Sequence, residues 1–317
     1  MNSSSLRGRV AIVTGAGGGL GRQHALYLAR NGARVVINDV AREAAEAVAA
    51  EINSAGGSAS AFAASVTEEA AIAEVVRRTL ADWGRVDILV NNAGILRDKS
   101  FAKMSLDDFR LVLNVHLMGS VICTKAVWEP MREQRFGRIV MTTSSSGLYG
   151  NFGQANYGAA KMGLVGLMQT LAIEGEKYGI RVNCLAPSAA TQMTHGILSA
   201  ASLKALDPVL VSPALLALVS DDAPTRAIVC AGAGHFARAY VTLTQGCNVG
   251  AGDDAGEQVI GKWQEISDRT DEILPDRGFI QSEREVASAN SATSSGATGH
   301  GASSPEASTP NATGRGR

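Results

Sequence analysis

The chain has 317 residues, 45% of them hydrophobic and 19% charged, with 29 basic side chains against 30 acidic ones and a net charge of -1. That length can hold one large α/β domain with a sizeable core, and the balanced charge gives nucleic acid or any other polyanion no footing as a partner. The four cysteines, Cys123, Cys184, Cys230 and Cys247, and the five histidines show neither paired nor metal-ligand spacing, so free thiols in a reducing compartment are expected and no metal site.

Met1 to Ser5 lacks the charged and apolar regions of a leader, no apolar run is read as long enough to span a bilayer, and Arg315-Gly316-Arg317 is not a Ser-Lys-Leu address. A soluble, cytoplasmic protein without a membrane partner is expected. In chain order, Val10-Ala11-Ile12-Val13 is a buried strand that runs into the glycine turn from Thr14 to Gly21, where Gly15, Gly19, Leu20 and Gly21 open a helix. Glycines there permit a tight turn and let a pyrophosphate approach unpaired helix N–H groups. The helix stops at Asn31-Gly32, and a second strand from Arg34 ends at Asp39, roughly 20 residues past the glycines, where a carboxylate meets ribose hydroxyls. Asp39 disfavours a 2′-phosphate, so NAD is expected over NADP; Arg42 is the nearby residue that argues the other way.

A helix from Ala41 to Ser54 and a weak strand from Ser58 to Ala63 come next, and Thr67 is read as the cap of a helix carrying Ile72, Val75, Val76 and Trp83 at helical spacing. The strand Val86 to Val90 delivers Asn91-Asn92-Ala93-Gly94 to the carboxyl edge of the sheet. Ser105 caps a long helix through about Trp128, Arg138 to Thr142 is a fifth strand, and Tyr157 and Lys161 share one face of a helix from about Gln154 to Tyr178. A tyrosine ionises near ~10, so Tyr157 acts as a base near neutrality only if a cation such as Lys161 stabilises its phenolate. The strands Ile180 to Leu185 and Ala227 to Ala231 complete the core, with a segment from Ala239 to Leu243 as a possible edge. This alternation predicts one α/β, Rossmann-type doubly wound parallel sheet with helices on both faces over residues 1–250, a helical extension over 251–286 and a disordered tail over 287–317, where apolar side chains are too few to drive ordering.

The glycine turn, Asn91-Asn92-Ala93-Gly94, Ser144 and Tyr157-x-x-x-Lys161 together resemble the classical short-chain dehydrogenase/reductases over roughly residues 6–250. The stretches Asn92 to Phe101, Gly150 to Tyr157 and Leu171 to Gly175 are similar to the (3R)-hydroxyacyl-CoA dehydrogenase part of the peroxisomal multifunctional β-oxidation enzyme and its free-standing bacterial relatives, several of which also oxidise hydroxysteroids. The resemblance implies Ser144, Tyr157 and Lys161 as catalytic residues, with Tyr157 and Lys161 also at the cofactor, and Asn92, Ala93 and Gly94 beside the nicotinamide riboside. Ala64 stands where the family carries an acidic adenine contact, so that contact is expected at Ser65 and Val66. His116 stands where the family has a catalytic Asn; a part in proton relay and a structural histidine both remain open. Pro187 opens the segment over the nicotinamide, and Thr191 is the expected contact to its amide. A small-molecule secondary alcohol is the implied substrate, in a homodimer or homotetramer. An NADP-dependent 3-ketoacyl reductase and a non-catalytic cofactor-binding regulator are the rival readings.

Overall fold

In the computed structural model, which describes residues 6–190 and 205–297, β1 (Val10–Thr14) lies between β2 (Arg34–Asp39) and β4 (Ile88–Asn91), all parallel. With β3 (Ser58–Ala63), β5 (Gly137–Thr142), β6 (Ile180–Ser188), β7 (Ile228–Gly232) and β8 (His235–Ala239) the order is β3-β2-β1-β4-β5-β6-β7-β8. The chain builds outward from β1 to β3, then returns to place β4 on the other side of β1. Ligands of doubly wound sheets bind at that reversal, beyond the carboxyl ends of the strands.

The residues of β1, β4 and β5, at the centre of the sheet, are buried on both faces, as covered parallel strands must be. Ala11 and Val13 join a core with Leu26 and Leu28 of α1 (Gly19–Arg30), Val48 and Ile52 of α2 (Arg42–Ser54) and Leu215 and Leu218 of the helix Pro213–Val219. Ile12, between them, joins a second core on the opposite face. That core holds Ile72 and Val76 of α3 (Glu69–Trp83) and, after α4 (Leu106–Leu113), Val127 and Met131 of α5 (Gly119–Glu133). After the short α6 (Ser145–Tyr149), Leu164 and Met168 of α7 (Ala155–Gly175) close that second core.

Several expectations are corrected. The span Leu106–Glu133 is long and apolar enough by composition to cross a membrane; Val112, Cys123, Val127 and Met131 in it are buried in the protein, while Leu106, Leu111 and Met118 are exposed. It is also not one regular helix: Asn114–Met118 forms a π turn between α4 and α5. The sheet edge is His235–Ala239 rather than a strand from Ala239, because Ala233 (φ 51°) and Gly234 (φ 74°) supply the two positive-φ residues of a tight hairpin turn. Helix α3 starts at Glu69 with no side-chain cap, since the Thr67 hydroxyl is bonded to Ser65 instead. Ser105 does cap α4, accepting the Asp108 N–H at 3.0 Å. All four cysteines are free.

The chain divides into two compact units, Met1–Ala239 and Tyr240–Arg317, so the boundary falls before position 250. In the second unit, Leu243 and Ile273 bridge two extended segments, and the Thr244 hydroxyl donates to the Ile266 carbonyl at 2.8 Å. The helix Phe279–Ala297 runs past Val286 into the stretch expected to lack structure. Past Val286 its alanines are matched by serines, with Asn290, Thr293 and Gly296 among them, so helix propensity does not explain this part. Residues 298–317 lie outside the described residues.

Candidate active site

At the end of β1 the chain turns through Gly15 (φ 62°), and a Cβ placed on Gly21 would sit 2.1 Å from the Gly15 carbonyl oxygen, so only glycine fits there. One at Gly15 would lie 2.8 Å from Ala93 Cα. The turn is stapled to the Asn92-Ala93-Gly94 segment from both sides. Asn92 Nδ2 donates to the Thr14 and Gly15 carbonyls at 3.0 and 3.1 Å, and the Thr14 hydroxyl accepts the Asn92 and Ala93 N–H groups at 3.0 and 3.1 Å. Thr14 went unnoticed in the sequence reading. The available signal was a hydroxyl at the last position of the strand, directly before the first glycine.

Helix α1 has neither a side-chain cap nor an acidic residue in its first turn, so its first N–H groups face the turn free of local carboxylates. Asp39, at the end of β2, accepts from Gly17 N at 2.9 Å and Ala41 N at 3.1 Å. Arg42 lies 3.7 Å from Glu46 on its own helix. Beyond β3, the Ser65 hydroxyl is 2.8 Å from Thr67 Oγ1, and Val66 is buried where a Cβ on Gly119 would come within 2.6 Å of it. A glycine-lined turn at a helix N-terminus with a carboxylate one strand away fits a dinucleotide: backbone donors for the pyrophosphate and an acceptor for ribose hydroxyls.

On the other side of β4, Ser144 follows β5 and accepts the Ser146 N–H at 3.2 Å. Tyr157 is hydrogen-bonded to Ser144, and burial, with a smaller contribution from the Asp98 carboxylate, raises the phenol above its ordinary value against that bond. Lys161, 3% exposed, donates to the Thr142 carbonyl at 2.5 Å and lies 5.4 Å from the Tyr157 ring centroid. Burial lowers the lysine to about 7. Desolvation penalises both charged forms, and it is the largest cause acting on each side chain.

His116, on the π turn, stands edge-on to Tyr157 at 5.1 Å between ring centroids. Its Nε2 lies 3.0 Å from Ile95 N and 2.8 Å from Ile95 O, while burial and the Lys161 charge lower it to about 3, so the ring is neutral. A Cβ on Gly94 would fall 2.2 Å from His116 Cε1, so this histidine brings the catalytic cluster against the Asn92-Ala93-Gly94 segment. Nδ1 is buried without a partner among the described residues, as is Thr142 Oγ1. Asn114 is exposed, on another side of the turn.

Pro187 is in β6, paired with Ala231 of β7, and Thr191 lies outside the described residues. Of the basic residues after Gly94, Arg97 and Lys99 lie 3.9 and 3.2 Å from Asp108, which already occupies their charges. No cluster of three His, Cys, Asp or Glu side chains suited to a metal occurs among the described residues. Sequence reasoning also passed over Asp98, Gln154 and Asn156, whose partners are distant in sequence.

The short chain dehydrogenase family matches residues 9–201. A short-chain type dehydrogenase/reductase of Mycobacterium tuberculosis is 46% identical over 82% of this chain and 94% of its own length. Peroxisomal multifunctional enzyme type 2 of Drosophila melanogaster is 51% identical over 65% of this chain and 36% of its own length. Its full-length structure superposes with a TM-score of 0.77 at 37% identity, over 91% of this chain and 50% of that one. A 7α-hydroxysteroid dehydrogenase solved with NADH and 7-oxo glycochenodeoxycholic acid gives a TM-score of 0.69 at 30% identity, over 74% of this chain and 97% of that one. The chain spans 31%, 36% and 38% of the length of three multifunctional relatives it matches and 60% of a fourth.

Proposed function

This chain belongs to the short-chain dehydrogenase family, an oxidoreductase acting on CH–OH groups with a nicotinamide dinucleotide, and from that premise we propose that it oxidises (3R)-3-hydroxyacyl-CoA with NAD. The observation that carries the reaction type is the buried cluster of Ser144, Tyr157 and Lys161 joined through His116 to the glycine-lined turn. The preference for NAD rests on Asp39, whose carboxylate faces the Gly17 N–H while Arg42 turns to Glu46. The acyl-CoA substrate rests on similarity to the multifunctional enzymes along Asn92 to Phe101 and Gly150 to Tyr157.

When bound, the dinucleotide supplies the hydride acceptor and, in its oxidised form, a positive ring. Tyr157 as phenolate takes the proton of the substrate hydroxyl as the carbinol C–H electron pair leaves and the C=O bond forms. Ser144 has one lone pair engaged by the Ser146 N–H, and its O–H, shared with Tyr157 in the free protein, is the donor to the substrate oxygen. Lys161, held by the Thr142 carbonyl, keeps a positive group behind the tyrosine and within reach of the nicotinamide ribose. His116, neutral at working pH, positions the Gly94-Ile95 backbone. The resemblance assigns Ser65 and Val66 to the adenine end and Pro187 and Thr191 to the nicotinamide. Exposed Leu111, Met118, Met162 and Ile173 on and beside helices α4, α5 and α7 support assembly as a dimer or tetramer.

A second reading, oxidation of a free hydroxysteroid, is favoured by the hydroxysteroid dehydrogenase among the similar structures. Initial rates of NADH formation decide between them. The proposal expects the higher kcat/KM with a 3-hydroxyacyl-CoA than with a 17β-hydroxysteroid, and with NAD than with NADP. Equal or better turnover of the free steroid replaces the acyl-CoA reading, and preference for NADP overturns the cofactor assignment.

A further inference from the structure

Three contacts tie the loop after β4 to the start of α7, and none of them belongs to the catalytic cluster. Asn156, fully buried, donates from Nδ2 to the Arg97 carbonyl at 3.1 Å, while its Oδ1 accepts the N–H of Tyr157 at 2.7 Å. Lys99 N donates to the Gly153 carbonyl at 2.9 Å. Gln154 spans the gap between them: Nε2 donates to Asp98 Oδ2 at 2.7 Å, and Oε1 accepts from Ser146 Oγ at 2.8 Å. Ser146 in turn gives its N–H to Ser144 Oγ at 3.2 Å. A continuous hydrogen-bonded path therefore runs from Asp98 through Gln154 and Ser146 to Ser144.

We propose that Asp98 and Gln154 are positioning residues for this reaction, with Gln154 holding the Ser144 segment in register with Tyr157 and Asp98, the charged end of the path, acting on Tyr157 through its carboxylate. The inference rests on the assignment of Tyr157 as that base. The chemistry of the path leaves little choice of orientation. Asp98 as a carboxylate only accepts, so it fixes the Gln154 amide with its NH2 toward Asp98 and its oxygen toward Ser146. The Ser146 hydroxyl then donates to Gln154, and the Ser146 N–H takes a lone pair of Ser144.

The charged and titratable groups around Tyr157 come from four places. Lys161 is on the same helix at 5.4 Å from the ring centroid, His116 is on the π turn at 5.1 Å, and Asp98 is on the loop after β4. Cys184, on β6, faces Lys161, and burial pushes its thiol up to about 12. Of these, His116 is neutral, and Asp98 is the negative charge that acts against ionisation of Tyr157. Asp98 is exposed, so salt screens its effect.

The test is the pH profile of kcat/KM for 3-hydroxyacyl-CoA oxidation at saturating NAD. Asp98→Asn keeps an acceptor for Gln154 but removes the charge. Its ascending limb is expected to move to lower pH at low ionic strength. In 1 M salt, as a test condition where the Debye length falls to about 3 Å, the shift should largely vanish. Gln154→Ala cuts the path and is expected to lower the plateau kcat about tenfold with the dinucleotide KM unchanged. An Asp98→Asn profile superimposed on wild type, a shift that persists undiminished in salt, or a full plateau in Gln154→Ala overturns the proposal. Tyr157→Phe run alongside separates the two layers. Its loss of turnover leaves the base assignment standing whatever Asp98 does, whereas retained turnover removes that assignment and the proposal with it.

Discussion

At the ends of β1 and β2 the site works mainly with main chain, while at the end of β5 and along α7 it works with buried side chains. On the first side, recognition depends on what is missing: no Cβ at Gly15 or Gly21, and no side-chain cap on α1. Geometry is held there by the Thr14 and Asn92 staple, and the one carboxylate, Asp39, is only half-buried. On the second side, Lys161 and His116 are almost fully buried, and desolvation governs their protonation more than their mutual contacts do. Shape therefore decides function at the glycine turn, and dielectric decides it at the tyrosine.

The comparison is broken most severely by Tyr157→Phe, which removes only the proton-transferring oxygen. Turnover should fall about 10²–10⁴-fold, while dinucleotide binding, followed by quenching of protein fluorescence, stays near wild type. Gly21→Ala attacks the shape side. With a Cβ only 2.1 Å from the Gly15 carbonyl the turn must move, and an increase in the dinucleotide Kd of about 10²-fold is expected, equivalent to about 2.7 kcal/mol.

Lys161→Met tests the dielectric side through stability. A lysine whose value drops from 10.5 unfolded to about 7 folded binds fewer protons in the folded state between those values, so its contribution to stability rises as pH climbs from 7 to 10.5. Below pH 7 the buried ammonium carries its whole cost, of the order of a few kcal/mol. Melting temperatures at pH 6 and pH 9.5 should show the variant gaining on wild type at pH 6 and the advantage shrinking at pH 9.5. The smallest effect is Asp39→Ala, expected to raise the NAD KM about tenfold and to narrow the preference over NADP; an unchanged NAD KM would count against its ribose contact.

The shape side was largely legible in the sequence. A strand, a glycine turn, a helix and a carboxylate after the next strand are consecutive, and each leaves a local pattern. Tyr157 and Lys161 were legible for the same reason, being one helical turn apart. What escaped depends on contacts across the fold. Thr14 acquires its role only when Asn92 and Ala93 arrive 78 and 79 positions later, and Gln154 only when Asp98 lies opposite it. The burial of Tyr157 and Lys161 is not legible either, because charge spacing along a helix shows the two near one another but not how little water reaches them. The helix beyond Val286 was not legible because neither burial nor the propensity of its Ser, Asn, Thr and Gly residues points to one.

The central claim is that burial, more than Lys161, sets the ionisation of Tyr157, so that a further positive charge is needed to draw out its phenolate. Ultraviolet difference titration of tyrosine ionisation, wild type minus Tyr157→Phe, measures this without turnover, in the free protein and with oxidised dinucleotide added. Tyr157 should ionise above the ordinary tyrosine range in the free protein and at lower pH once the oxidised dinucleotide is bound. Ionisation at or below the ordinary value in the free protein would contradict the account and return that role to Lys161 alone.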